Sequence, residues 1–252
     1  MAYGLTPDQE QGFAAAEGKV SAFWSAITDA HDYACVSAKH AVESGSSDAE
    51  GCVMTVKAAH SRAGLYLLFE VSDDQWSPAA DLNDAIDFHI ARSGTDVIGA
   101  AASVTDVYLT TQFSLVLDEA QYQVNFGTPD NPGAELARNI PSPWNMDTVR
   151  ESFDEAAERH GIVIRQIVLE DGARAMEWFM PWDCVGSGGE MDEPAVGTRL
   201  GLVVGYNDTD SEQTVTYRWP AAIDPWREVE PDGHSVASWG DLVIGPLLGR
   251  DQ

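Results

Sequence analysis

Two tryptophans stand in polar loops, where an indole has little apolar surface to pack against. Trp76 follows Asp73, Asp74 and Gln75, and Trp226 lies in "AAIDPWREVEPDG", a loop by its Pro and Asp content. An indole offers a large, flat, apolar face that loses little conformational freedom on binding. We interpret both residues as candidate stacking surfaces for a ligand. The alternative for each is a loop anchor that folds back onto the protein.

Acidic loops around the same region contain the ligand type that hard cations prefer. Calcium takes about six to eight oxygen atoms from carboxylates, carbonyls and water. The loop at 73–74 and the segment 208–210 supply carboxylates, although no DxDxDG loop is present. We therefore predict a structural calcium site that uses Asp73, Asp74 and Asp210. No organic cofactor is expected.

The overall charge narrows the classes of partner. The chain has 41 acidic and 14 basic residues in 252, which gives a formal charge of −27. Such a surface repels phosphate groups, so nucleic acid and anionic membranes are excluded as expected partners. Neutral ligands, cations or a salty environment suit it, and solubility alone is the simpler explanation. We expect a monomer.

The three cysteines do not have the spacing of a zinc site. No CxxC or CxxH motif occurs, and Cys35 and Cys52 lie in two early strand-like runs that could pair. Three buried thiols are the alternative. The N-terminal "MAYGLTPDQEQ" has neither the basic nor the apolar region of a secretion signal, and no apolar run reaches membrane-spanning length.

The elements that must position these residues are mostly strands joined by short turns. An N-terminal helical extension (1–19) begins with a Thr6 cap, Pro7 and a capping-box Gln9. Residues 128–161 are predicted to form a Pro-rich loop and then a helix from Asp147 to Gly161. The remainder predicts an all-β fold, a single antiparallel β-sandwich of about ten strands over residues 1–252, jelly-roll-like, with one or two inserted helices.

Four segments together resemble the family 9 carbohydrate-binding modules and their wider sandwich superfamily. They are "LYLLFEVSDD" with Trp76 and "NDAIDFHI" (65–90), "MEWFMPW" (176–182), "LGLVVGYND" (200–208) and "RWPAAIDPWREVEPDGHSVASWGDLVI" (218–244). Their order and spacing extend from about residue 20 to the C-terminus. Residues 91–175 are longer than the corresponding part of the usual module.

The resemblance implies a β-sandwich that binds sugars without cleaving them, is attached to polysaccharide-degrading enzymes and acts outside the cell or at its surface. Family members hold a xylan or cellulose chain end between two Trp rings and bind structural calcium. The positions that match the polar residues around the sugar are Asp84, Gln123, Asn207 and Asp208. The family often has a long basic side chain near Gln123. Asn207-Asp208 is also typical of an ordinary turn, and Asp84 of a strand end.

Three alternatives to sugar binding stay open from the sequence. A glycosidase needs a pair of carboxylates, which so acidic a chain contains by chance. Relatives in the wider superfamily bind a b-type haem, and this chain has Met and His residues that would be its axial ligands: Met54, Met176 or Met180 with His40, His60 or His89. The third alternative is a spacer or interaction domain.

Overall fold

The computed structural model describes residues 1–28, 34–36, 52–74, 76, 84–92, 119–125, 135–141, 146–185, 190–210, 213–219 and 240–248. Thirteen strands, two α-helices and two 3₁₀ helices lie in these ranges. In chain order the strands are β1 (Ala2–Gly4), β2 (Ala34–Val36), β3 (Val53–His60), β4 (Gly64–Ser72), β5 (Ala85–Ala91), β6 (Glu119–Asn125), β7 (Glu135–Pro141), β8 (Met146–Ser152), β9 (Val163–Val168), β10 (Arg174–Pro181), β11 (Arg199–Asp210), β12 (Gln213–Trp219) and β13 (Gly240–Leu247). The helices are α1 (Pro7–Ala15), α2 (Phe153–His160) and the 3₁₀ helices Ala22–Ala26 and Trp182–Cys184.

The strands form two facing halves of one curled sheet. The order is β8-β7-β6-β5-β11-β13-β1-β3-β4-β10-β9, with β12 on β11 and β2 on β3. We call β5–β8 and β11–β13 the front sheet, and β2–β4, β9 and β10 the back sheet. β1 pairs in parallel with β13 on one side and β3 on the other, and the other described pairs are antiparallel. The predicted all-β sandwich is confirmed.

The main core fills the space between the two sheets. Phe88 of the front sheet stacks on Phe69 of the back sheet at 5.6 Å and meets Trp178 edge to face at 5.0 Å. Along β4, Leu67 and Phe69 point into this core, whereas Leu68 points to the opposite face. This alternation follows from the two-residue period of a strand. β4 is apolar throughout because both of its faces are covered.

An outer core lies on the other face of the back sheet, under the N-terminal segment 1–28. Its largest members include Phe13, Phe23, Trp24 and Tyr66. The carboxylate of Glu177 is fully buried there. It accepts hydrogen bonds from the Ser21 and Trp24 N–H groups (both 2.7 Å) and from Arg165 (2.6 Å), and this bonding compensates for the burial of its charge.

Arg165 also binds the N-terminal segment directly. Its guanidinium donates to the carbonyl oxygens of Phe13 and Ala16 and lies 4.0 Å from the centroid of the Phe13 ring. α1 begins as predicted, because the Thr6 side chain accepts from the Gln9 N–H and Gln9 returns a bond to the Thr6 backbone. The N-terminal segment is thus an integral cover of the back sheet.

The helix predicted from Asp147 begins only at Phe153. Ser152 caps α2 with Glu155 in a capping box, and Gly161 ends it in the left-handed conformation with a φ of 68°. Residues 146–152 form β8, which pairs with β7 across 135–141, where the sequence predicted a loop. Pairing between these two strands overrides the local helical preference of the acidic run.

No helix in the described part of the chain is long and apolar enough to cross a membrane.

Candidate functional site

Three carboxylates converge where β4, β5 and β11 meet, and we call them the acidic cluster. One oxygen each of Asp73, Asp84 and Asp208 lies within 4.8 Å of the others. Asp84 precedes β5 directly, and the pairing of Ala85 with Asn207 brings it beside Asp208 on β11. Asp73 follows β4 of the facing sheet. Asp84 and Asp208 are 1% and 3% exposed, so the cluster is largely withdrawn from water.

Two tyrosines on paired strands direct their hydroxyl groups to this cluster. Tyr206 of β11 lies opposite Tyr217 of β12, and both side chains are buried. The Tyr206 hydroxyl donates to Oδ2 of Asp73 at 2.5 Å. Burial, followed by the charges of nearby carboxylates, raises the pKa of both hydroxyls, with Asp73 foremost for Tyr206 and Asp208 for Tyr217. Both therefore stay protonated and able to donate.

Cys52 lies against the acidic cluster as a free, buried thiol. Burial raises its pKa, and the negative charges of Asp73, Asp208 and Asp84 raise it further. The β2–β3 register places Cys35 opposite Thr55, three positions along β3 from Cys52. The sequence left a Cys35–Cys52 disulfide open; Cys52 is a free thiol, and the side chain of Cys35 lies outside the described part of the chain.

One cation links the acidic cluster to the candidate stacking residue. Arg174 is 4% exposed, and its Cζ atom lies 3.9 Å from the centroid of the Trp76 ring. Burial lowers the pKa of the guanidinium, whereas the negative charges of Asp84 and Asp73 raise it. Trp76 is partly buried and packs against the main core. With all groups ionised, three carboxylates against one guanidinium leave two negative charges in excess among these residues.

Four of the residues that the sequence predicted for this site come together in the structure. Trp76, Asp73, Asp84 and Asp208 are joined through Arg174 and the acidic cluster. Asn207 is partly buried beside Asp208, but the two are consecutive in β11, so their side chains point to opposite faces. The pair lies within a strand and is not the turn that its composition indicated.

The other predicted residues are not joined to the cluster by the described contacts. Asp74 is exposed and is not among the three clustered carboxylates. Gln123 lies in β6 opposite Asp87, and Asp210 ends β11, but their side chains are outside the described part of the chain. Trp226 also lies outside the described residues.

Sequence reasoning missed Arg174, Tyr206, Tyr217 and Cys52. The sequence pattern of β10 could have indicated Arg174. In a strand, alternate residues share a face, and Arg174 alternates with the core residues Met176 and Trp178. An arginine at an inward position of a strand predicts buried carboxylates nearby, because a buried charge requires a partner.

Solved structures of known proteins are similar to this chain over most or all of its length. A carbohydrate binding module family 9 from Caldicellulosiruptor kristjanssonii in complex with glucose is similar over 100% of this chain and 97% of its own, with a TM-score of 0.51 and 14% identity. A family 9 module from the same organism in complex with cellotriose gives a TM-score of 0.45 and 16% identity, over 93% and 89% of the two chains. No protein-family model and no curated protein matches the sequence. The first likeness shows that the chain has the sandwich fold of such a module.

Proposed function

We propose that this protein is a non-catalytic carbohydrate-binding domain that takes an oligosaccharide or the end of a polysaccharide chain. The observation that carries the proposal is the indole of Trp76, which packs against the main core and against Arg174, beside a polar, acidic cluster. Sugars need this combination, because a pyranose ring has apolar C–H faces and a fringe of hydroxyl groups. The shared fold with a family 9 module in complex with glucose supports it.

The proposed roles combine the sequence prediction with the exposure of those side chains that the structure describes. Trp76 is one stacking surface, and Trp226 is the second, opposite it across the sugar. Gln123 is proposed to contact hydroxyl groups directly, whereas Asn207 points to the face of β11 opposite to Asp208 and is left out of the proposed contacts. Asp84 and Asp208 are buried, so we propose that they support the site from beneath the ligand. A polysaccharide ligand implies a place of action outside the cell.

The same cluster suits a structural calcium ion. Asp73, Asp84 and Asp208 present three carboxylate oxygens close together, and hard cations prefer oxygen ligands. A doubly charged ion would balance the two excess negative charges beside Arg174. The proposed ligand set therefore keeps Asp73 and replaces Asp74, which is exposed, by Asp84 and Asp208. The side chain of Asp210, the third predicted ligand, lies outside the described part of the chain.

Thermal unfolding with calcium, with magnesium and with a chelator tests this metal site. We expect calcium to raise the midpoint by several degrees, and Asp84→Asn to abolish the calcium-dependent part of the shift. Asp74→Asn, which changes an exposed neighbour outside the cluster, is the matched control and should keep the shift. Equal midpoints with calcium and with the chelator in the wild type would contradict the calcium proposal.

Binding isotherms against a sugar panel test the function itself. The panel contains glucose, cello-oligosaccharides and xylo-oligosaccharides, titrated into wild type, Trp76→Ala and the control Val168→Ala on the exposed edge of β9. Loss of a stacking indole should weaken binding at least about tenfold, ~1.4 kcal/mol. Val168 is 60% exposed, and its replacement should leave affinity unchanged. Absence of binding in the wild type, or equal affinity in Trp76→Ala, would refute the proposal.

The described residues favour neither haem binding nor glycoside hydrolysis. Both ring nitrogens of His60 contact acceptors, Oε1 of Glu193 at 3.2 Å and the Gly245 carbonyl at 3.0 Å, so neither is directed at an iron site. Asp84 and Asp208 are too deeply buried to reach a glycosidic bond from the surface. A visible absorption spectrum and a reducing-end assay on the same sugar panel test haem binding and hydrolysis.

A further inference from the structure

We infer that Arg174 is a positioning residue, which fixes the Trp76 indole in place and closes one of its two faces, so that a sugar stacks on the opposite face alone. The inference rests on the proposed function for the identity of the ligand. It concerns a residue that the sequence pattern did not single out, and it specifies from which side the indole is used.

The back sheet positions Arg174. It is the first residue of β10, paired with Val71 of β4 and Val168 of β9. It lies on the same side of β10 as the core residues Met176 and Trp178. Because strands on both sides hold its backbone, the guanidinium extends from a rigid base at the end of the main core.

Trp76 lies between β4 and β5, outside either strand, and side-chain packing helps to position its indole. This packing includes the main core and the guanidinium of Arg174, which lies 3.9 Å from the ring centroid. At that distance the planar guanidinium is in contact with one face of the indole.

The carboxylates of the acidic cluster are near enough to act on the same guanidinium. Asp84 and Asp73 favour the charged form of Arg174 against the effect of burial. Arginine suits this environment because its planar group stacks on a ring while its N–H groups remain available to carboxylates. Lysine would keep the charge but would lose the flat contact with the indole.

Two consequences for binding follow from this arrangement. A sugar ring cannot stack on the face that Arg174 covers, so Trp76 contributes a single face. In addition, the indole is ordered before the ligand arrives, which reduces the entropy lost on binding. Arg174 thereby affects affinity without touching the sugar.

The test uses Arg174→Lys, with Arg165→Lys as the matched control. Arg165 makes the same kind of contact, 4.0 Å over the Phe13 ring and beside a buried carboxylate, but on the outer face of the back sheet. Each protein is labelled with 5-fluorotryptophan, and the resonance of Trp76 is identified among the eight tryptophans by its absence in Trp76→Phe. Sugar isotherms and unfolding midpoints are recorded on the same samples.

We expect Arg174→Lys to shift and broaden the Trp76 resonance and to weaken sugar binding about tenfold. Arg165→Lys should lower the unfolding midpoint without changing the Trp76 resonance or the affinity. An unchanged Trp76 resonance in folded Arg174→Lys overturns the inference, and so does unchanged affinity when the wild type binds. If the wild type binds no sugar, the proposed function fails, and the resonance alone decides whether Arg174 positions Trp76.

A second variant covers the case in which Arg174→Lys does not fold. Arg174→Gln combined with Asp84→Asn removes one charge of each sign from the cluster and also removes the guanidinium. We expect the same change in the Trp76 resonance as for Arg174→Lys. An unchanged resonance in this folded double variant overturns the inference equally.

Discussion

The hydroxyl of Tyr206, in the middle of the front sheet, donates to Oδ2 of Asp73, which follows the last residue of β4 in the back sheet. The bond joins the two sheets at the acidic cluster. Tyr206→Phe removes the donor and leaves the carboxylate short of one hydrogen bond. We expect a loss of about 1–3 kcal/mol in the free energy of unfolding, measured by urea denaturation.

A double-mutant cycle with Asp73→Asn separates this bond from other effects of the two substitutions. The coupling energy should be about 1 kcal/mol or more, because the two groups are in direct contact. Additive effects of the two single variants would show that the bond contributes nothing to stability.

The buried thiol of Cys52 should make the free energy of unfolding fall at alkaline pH. Its pKa is raised by burial and by the neighbouring carboxylates, so it stays protonated in the folded protein. In the unfolded chain the thiol ionises near its ordinary pKa of about 8.5. The raised folded value means that its contribution is complete below that pH and is lost as pH rises further, by up to about 1.4 kcal/mol per pH unit.

Urea denaturation from pH 7.5 to 9.5 measures this decline, and Cys52→Ala should make it shallower. This window lies below the ordinary pKa of the tyrosines, so Tyr206 and Tyr217 contribute little to the slope. The native thiol should also resist alkylation at pH 8.5. A slope identical in wild type and Cys52→Ala, or rapid native alkylation of Cys52, would contradict this account.

Glu177 secures the N-terminal cover of the back sheet, so Glu177→Gln should loosen residues 1–28. The substitution leaves the guanidinium of Arg165 without its buried counter-ion and weakens the acceptor for the N–H groups of Ser21 and Trp24. We expect a loss of about 3 kcal/mol and faster hydrogen exchange in the N-terminal segment.

Glu70→Gln is the matched control for this prediction. Glu70 forms a partly exposed pair with Lys57 at 3.6 Å, so its replacement should cost less than about 1 kcal/mol. Sugar affinity should be unchanged in Glu177→Gln, because Glu177 and Arg174 point to opposite faces of β10. Equal stability losses in the two variants would mean that burial of Glu177 is energetically unimportant.

Local patterns predicted those parts of the fold that depend on neighbouring residues. The capping residues placed the start of α1. The beginning of α2 could not be predicted from Asp147, because whether residues 146–152 form a strand depends on β7, a partner that they meet only in the folded chain.

The candidate site likewise contains some residues that local sequence indicates and others that only the folded chain brings together. Trp76 was recognisable because an indole is unusual in a polar loop, whereas Asp84 was identified only through the resemblance to family 9 modules. Arg174 is far from both in sequence and approaches them only because β10 pairs with β4. Likewise, Asn207 and Asp208 have turn composition but belong to a strand that is paired on both sides.

The position of β1 has a consequence for the order in which the protein acquires its structure. Ala2 pairs with Ala58 of β3 and with Ile244 of β13, so one short strand near the start of the chain is hydrogen-bonded to its last strand. β3 is near β1 in sequence, whereas β13 is far from both, so the β1–β13 pair closes a long loop of the chain. Contacts between residues far apart in sequence form slowly, so we expect the two sheets to be joined through β1 in a late folding step.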